Sequence, residues 1–281
     1  MKRKRLKTVL CIAASDPSCG AGIQADIKTA SALGCYALSA LSALTIQNTT
    51  GVFELAALPP CFISGQLKAL AEDITIDAVK IGAIASEGAV LAIADFLRKK
   101  IFKNIVADPV IAASDGFVFL RRKALLTYKK KLLPLTDIIT PNIPEAELLS
   151  GIKISRAKDM EEAAVRIADL GVGSVLVKGG HSRGKTATDC LYLPDTKRMI
   201  WFGAPRINTP NSHGTGCALS TAIASCLASG ADTGEGMIKA VKSAKEFLNS
   251  ALAGSRNYKL GAGRGPLNHF YNYKQNRPQK L

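Results

Sequence analysis

Short apolar or β-branched runs alternate with amphipathic stretches along most of the chain, the pattern of strand–helix units wound around a mainly parallel sheet. A first strand is expected over 8–14 and a helix over 22–33, where Ile23, Ile27, Ala30 and Leu33 recur near helical spacing. A second strand follows over 36–44, whereas 45–58, with its polar residues and Gly51, reads as a loop holding a short hairpin. The alternation continues with helix 62–71, strand 78–81, helix 87–100, strand 105–107, helix 121–131, strand 137–139, and helices 144–150 and 159–170. The last third offers strands over 174–178, 189–193 and 199–202, then two long helices over 214–229 and 234–253. After Arg256 the periodicity fades into a Gly- and Lys-rich end.

No break in composition divides the 281 residues, so one α/β domain is expected over 8–270, with a basic extension over 1–7 and a flexible basic tail over 271–281. The longest apolar stretches fall short of the ~20 residues of a membrane helix, which predicts a soluble chain without membrane contact. Lys2-Arg3-Lys4-Arg5 imitates the start of a signal peptide, but the apolar run behind it is brief and Asp16-Pro17 ends it. Seven cysteines, an odd number without ligand spacing, suggest reduced thiols of a cytoplasmic protein. The net charge of +15 sits in blocks at the termini and on expected helix faces, with no basic–aromatic interleaving. That distribution suits solvated surface, and attraction of phosphorylated substrates, better than a nucleic-acid footprint.

Ligands of open α/β sheets gather beyond the carboxyl ends of strands. Four polar clusters stand at such ends: Ser15-Asp16-Pro17, Asp108-Pro109-Val110, Thr140-Pro141-Asn142 and Lys178-Gly179-Gly180-His181. A fifth segment, Asn211-Ser212-His213-Gly214-Thr215-Gly216-Cys217, feeds an apolar helix. A glycine turn before a helix leaves backbone N–H groups facing outward with the positive end of the helix dipole behind them, an anion cradle in which the Cys217 thiolate would be favoured. The alternative is a small buried thiol beside an ordinary tight turn. Glu145, one position after Pro144 in a first helical turn, suits either the helix dipole or, with Asp108, a magnesium ion held mostly through its waters. Gly20-Ala21-Gly22 permits close backbone approach, with Asp26 one turn along, and the Gln47 amide suits a heterocycle edge or a loop hydrogen bond. Lys178 and His181 are open to a nucleotide phosphate or to ordinary surface roles.

In this order the segments Ser15-Asp16-Pro17-Ser18, Gly20 to Asp26, Gln47-Asn48-Thr49, Asp108-Pro109-Val110, Thr140 to Glu147, Lys178 to His181 and His213 to Cys217 resemble the hydroxymethylpyrimidine/phosphomethylpyrimidine kinases of thiamine biosynthesis. The resemblance runs from about Thr8 to His269 and implies a single-domain ribokinase-like α/β/α sandwich, two successive phosphorylations of the pyrimidine with ATP and Mg2+, and a homodimer. It further implies that Gln47, Asp26, Val110, Gly22 and Ala83 serve the pyrimidine. Cys217 would be the base and the amides of Gly214 to Cys217 the anion hole. Lys178, Gly180, His181, Asp189, Thr215 and Asn142 would lie toward the nucleotide, with Glu145 and Asp108 toward the metal. Three positions depart from the family pattern: Cys19 for a common Gly, Ser212 for the usual Thr, and Ala83 for a Met that lines the pyrimidine pocket. Ala83 makes room, so a pyridoxine or pyridoxal kinase is the nearest alternative, and a non-catalytic pyrimidine-binding regulator is a second.

Overall fold

A computed structural model describes residues 5–99, 102–113, 115–180, 186–230 and 235–273. Along the chain run β1 (Thr8–Ser15), α1 (Gly22–Ala32), β2 (Tyr36–Asn48), β3 (Gly51–Ala57), α2 (Pro60–Asp73), β4 (Ala78–Ile81), α3 (Glu87–Lys99), β5 (Ile105–Ala107) and α4 (Arg122–Thr127). There follow β6 (Ile138–Ile139), α5 (Ile143–Ser150), α6 (Ala157–Ala168), β7 (Val175–Val177), β8 (Thr186–Leu193), β9 (Arg198–Pro205), α7 (Thr215–Ala228) and α8 (Glu235–Gly254).

The strands form one sheet in the order β3-β2-β1-β4-β5-β6-β7-β8-β9. The ladders from β2 through β7 are parallel, while β3, β8 and β9 add antiparallel edges. Strand β1 shows why the sheet is central. Its residues are apolar on both faces: Leu10 and Ile12 enter a core shared with α2 to α6, and Val9, Cys11 and Ala13 enter one shared with α1, α7 and α8. Helix α7, built of small and apolar residues, is buried along nearly its whole length between the sheet and α8. The result is the α/β/α sandwich expected from the alternation. Because β1 has β2 on one side and β4 on the other, the chain reverses its winding at β1, the kind of switch point beyond whose strand ends the ligand crevice of an open α/β sheet lies.

Two elements differ from the sequence reading. Strand β2 runs on to Asn48 and pairs with a full β3, Thr45 opposite Leu55 and Gln47 opposite Val52, so 45–58 is a long hairpin. Its residues alternate between half-buried and exposed, and that polar alternation is a strand at a sheet edge. The helix expected over 121–131 ends at Thr127; a wide turn at Tyr128–Leu132 and a tight one at Leu133–Leu135 follow, where Pro134 cannot continue a regular helix. Among the described residues no helix is long and apolar enough to cross a membrane.

Candidate active site

The first turn of α7 opens from Gly214, whose φ of 82° places it in the left-handed region. A Cβ there would fall 1.9 Å from the Gly20 carbonyl oxygen, so the loop after β1 and the loop before α7 meet only because both are glycine at the contact. The Ala218 N–H makes the first intrahelical bond, to the Gly214 carbonyl at 2.8 Å. The amides of Thr215, Gly216 and Cys217 precede it and carry the partial positive charge of the helix end. A Cβ on Gly216 would lie 3.3 Å from Asp108 Oδ2 and 3.4 Å from Lys178 Nζ, so the cradle opens directly beside that pair.

Asp108 and Lys178 come from the ends of β5 and β7 and are joined at 2.8 Å. The Thr140 hydroxyl, beyond β6, donates to Asp108 at 3.1 Å. Burial pushes Asp108 upward, but the Lys178 and Lys80 ammoniums outweigh it and hold the carboxyl below its ordinary range. Glu145 begins α5 in a reciprocal cap: Asn142 N–H donates to its carboxylate at 2.8 Å, and Glu145 N–H donates to Asn142 Oδ1 at 2.9 Å. Burial pushes the Glu145 carboxyl up to about 7 against the attraction of Lys178.

Cys217 occupies the third position of α7. Its protonation departs from expectation. Burial pushes the thiol up to about 11, and although Lys80 pulls the other way, Asp26 and Asp108 add to the rise. The resting site therefore holds a thiol rather than the thiolate that the helix end alone would favour.

Next to the cradle, the Gln47 amide nitrogen lies 3.3 Å from His213 Nε2, and that ring nitrogen lies 2.8 Å from Asp16 Oδ2. The Thr45 hydroxyl donates to the Ser15 carbonyl at 2.8 Å and fixes this end of β2 against β1. Ala83 and Val110 share a small apolar cluster with Ala14, Ala43 and Phe119 beside it.

A profile for phosphomethylpyrimidine kinase matches residues 16–268. The chain belongs to that family. It is 42% identical to the hydroxymethylpyrimidine/phosphomethylpyrimidine kinase of Haemophilus influenzae over 94% of this chain and 97% of that one. A crystal structure of the phosphomethylpyrimidine kinase of Clostridium difficile matches with TM-score 0.75 and 41% identity, covering 87% of this chain and 99% of that chain. The ADP complex of Bacillus subtilis pyridoxal kinase matches with TM-score 0.85 and 31% identity, covering 95% and 99%.

Within this phosphomethylpyrimidine kinase family member, three expected ligand contacts are occupied otherwise. Asp26 is fully buried under the crevice, ion-paired with Lys80 at 2.7 Å and accepting the Thr221 hydroxyl at 2.7 Å, so it supports the site from beneath instead of facing a substrate. Asp189 accepts Gly179 N–H at 2.9 Å and pairs with Lys245, which spends both carboxylate oxygens on the protein. Asn142 uses its side-chain oxygen as a helix cap. Gly180 is exposed and its carbonyl accepts from Arg206 at 2.6 Å, while His181 lies outside the described residues. Thr215 stands at the first position of α7, within the cradle. The sequence reading missed Lys80, and it placed Asp16 and His213 on the rim without giving either a role. A lysine in the four-residue strand Ala78–Ile81 was the available signal for the first, since a charge buried on both faces needs a partner.

Proposed function

We propose that this chain transfers the terminal phosphoryl group of ATP to the hydroxymethyl group of 4-amino-5-hydroxymethyl-2-methylpyrimidine and then phosphorylates the monophosphate again, in thiamine biosynthesis. The observation that carries this reading is the placement of the α7 amide cradle directly beside the Asp108–Lys178 pair, with Gln47 held against His213, the residue before the cradle. The Gly214 to Cys217 amides and Lys178 bind the transferring phosphoryl oxygens, where charge develops. Gln47 and the Ala83–Val110 wall orient the ring. The minor thiolate form of Cys217 receives the hydroxyl proton as oxygen bonds to phosphorus and the bond to ADP breaks; a loose transition state makes only a small demand on that base, so neutralisation and positioning supply most of the acceleration.

The donor set fits magnesium. Among the described residues no group of three or more His, Cys, Asp or Glu gathers as a cage, whereas Asp108 and Glu145 offer the one or two carboxylates with which magnesium is held beside phosphates. Bound there, magnesium supplies charge neutralisation for the phosphate chain. Incubating the protein with Mg-ATP and the pyrimidine, its monophosphate or pyridoxal, and weighing the products, tests the reading; absence of any phosphorylated ring would leave only the regulator.

A second reading, phosphorylation of pyridoxal-type rings, is favoured by Ala83, because Ala14, Ala43 and Ala83 make that part of the wall from small side chains. Turnover with pyridoxal comparable to that with pyrimidine would establish it. Two further parts belong to the same proposal. The hairpin β2–β3 exposes Ile46 by 59% and Phe53 by 60%, which supports a homodimer through this sheet edge; Phe53→Asp should then lower the mass in light scattering. Seven free thiols support a cytoplasmic location.

A further inference from the structure

We infer that the segment 263–267 is a positioning strap for phosphoryl transfer, holding the end of β2 that carries Gln47 at a fixed span from the loop that leads into the α7 cradle. The inference rests on the kinase reading above. Gly263 N–H donates to the Thr49 hydroxyl at 3.2 Å, and Arg264 N–H donates to the Thr49 carbonyl at 3.0 Å. One residue on, the Gly265 carbonyl accepts His213 N–H at 3.0 Å, and Pro266 bridges to His213 in parallel register. Two successive residues thus join position 49, two beyond Gln47, to position 213, one before Gly214. Leu267, buried with Ala218 of α7 and Ala251 of α8, anchors the far end, and Asn268 N–H donates to the Ala251 carbonyl at 3.2 Å.

The fit leaves no room for a side chain at two positions. A Cβ on Gly263 would fall 1.9 Å from the Thr49 carbonyl oxygen, and one on Gly265 would fall 1.7 Å from Asn211 Oδ1. Asn211 donates its amide to the Tyr258 carbonyl at 2.9 Å and to the Ser255 carbonyl, so the loop before α7 is held from both sides. Residues 256–264 are exposed, and ordering this glycine-rich run costs chain entropy that apolar burial there does not return. What the strap does yield is a constraint between two loops. Gln47 and His213 also meet directly at 3.3 Å, but that contact loosens once the amide turns toward a ring. The strap uses backbone groups and the Thr49 hydroxyl, so the span persists while Gln47 is engaged. The approach of a ring hydroxymethyl oxygen to a phosphoryl group at the cradle depends on that span.

The test is steady-state kinetics with Mg-ATP and the ring that the parent phosphorylates, beside chemical denaturation of each variant. Gly263→Ala, which pushes on the end of the hairpin, should raise KM for the ring about tenfold and leave KM for ATP within about twofold of the parent. Gly265→Ala, which pushes on Asn211, should lower kcat about 10- to 100-fold. Should these fail to fold, Thr49→Val removes only the hydroxyl that accepts Gly263 N–H and should raise KM for the ring about threefold, while Thr49→Ser keeps the hydroxyl and returns the parent's value. Variants that lose stability alone, with kcat and KM of the folded enzyme unchanged, overturn the inference and leave the kinase reading intact. So does a rise in KM for ring and ATP alike, or a Thr49→Ser enzyme that behaves as Thr49→Val does. Parent protein that phosphorylates neither the pyrimidine nor pyridoxal overturns the kinase reading itself.

Discussion

His213 Nε2 lies 2.8 Å from Asp16 Oδ2, and this contact clasps the loop after β1 to the loop before α7. Asp16 also accepts Ser18 N–H at 2.8 Å and Ala21 N–H at 2.8 Å, so one carboxylate shapes the glycine turn on which the α7 cradle rests.

The clasp has a pH signature. Burial opposes ionisation of Asp16, but hydrogen bonds from His213, Ser18 and Ala21 outweigh it and bring the carboxyl from 3.8 to about 2. Because the folded value is the lower one, the stabilisation is present above 3.8 and is lost as pH falls through about 2. Asp16→Asn should be less stable at pH 7 by about 1–2 kcal/mol and lose less of its melting temperature between pH 5 and 2. Parallel melting curves for variant and parent would remove Asp16 from this role.

Cys217 carries a kinetic prediction. With the thiol pushed up to about 11, the thiolate fraction grows across the neutral range, so turnover should rise with pH between 7 and 9. Cys217→Ala should lose about 10²–10⁴-fold in kcat, flatten that rise and bind pyrimidine nearly as tightly as the parent. Unchanged turnover would exclude the sulfur as base.

Glu145 should trade stability for function. Its carboxyl is raised from 4.5 to about 7, so the folded state holds a proton the unfolded chain releases, and stability declines as pH rises through that interval. Glu145→Gln keeps an oxygen for the Asn142 amide and should be more stable at pH 8, by about 1–3 kcal/mol, yet require more magnesium. A magnesium titration that overlays the parent's counts against the metal assignment.

Two glycines two residues apart should answer differently to alanine. At Gly214 the positive φ and the 1.9 Å approach to Gly20 make Gly214→Ala a folding defect of at least about 2 kcal/mol in chemical denaturation. At Gly216 the backbone is helical and the new methyl meets the Asp108–Lys178 pair, so Gly216→Ala should keep its stability and raise the KM for ATP about tenfold. Equal losses of stability in both would refute the placement of the cradle.

The elements were legible where periodicity was strong. Strand β1 and helix α7 announce themselves through unbroken apolar runs, and the polar clusters at strand ends located the rim that now holds Asp108, Lys178 and Gln47. The β2–β3 hairpin was misread because edge strands alternate polar and apolar residues much as loops mix them. Asp26 was assigned to the substrate because its distance along the helix from Gly22 is visible in sequence, while the buried lysine that claims it comes from a strand 54 residues away.

By itself the sequence determined the sheet-and-helix alternation, the family and the order of the chemical groups, because periodicity, glycine placement and strand-end polarity are local properties of a chain. Which carboxylates face outward was decided only in three dimensions. Burial and partners assembled from separate strands seal Asp26 and Asp189, raise Glu145 and Cys217, and hold Asp108 low, since desolvation and charge act through space between groups far apart in the chain.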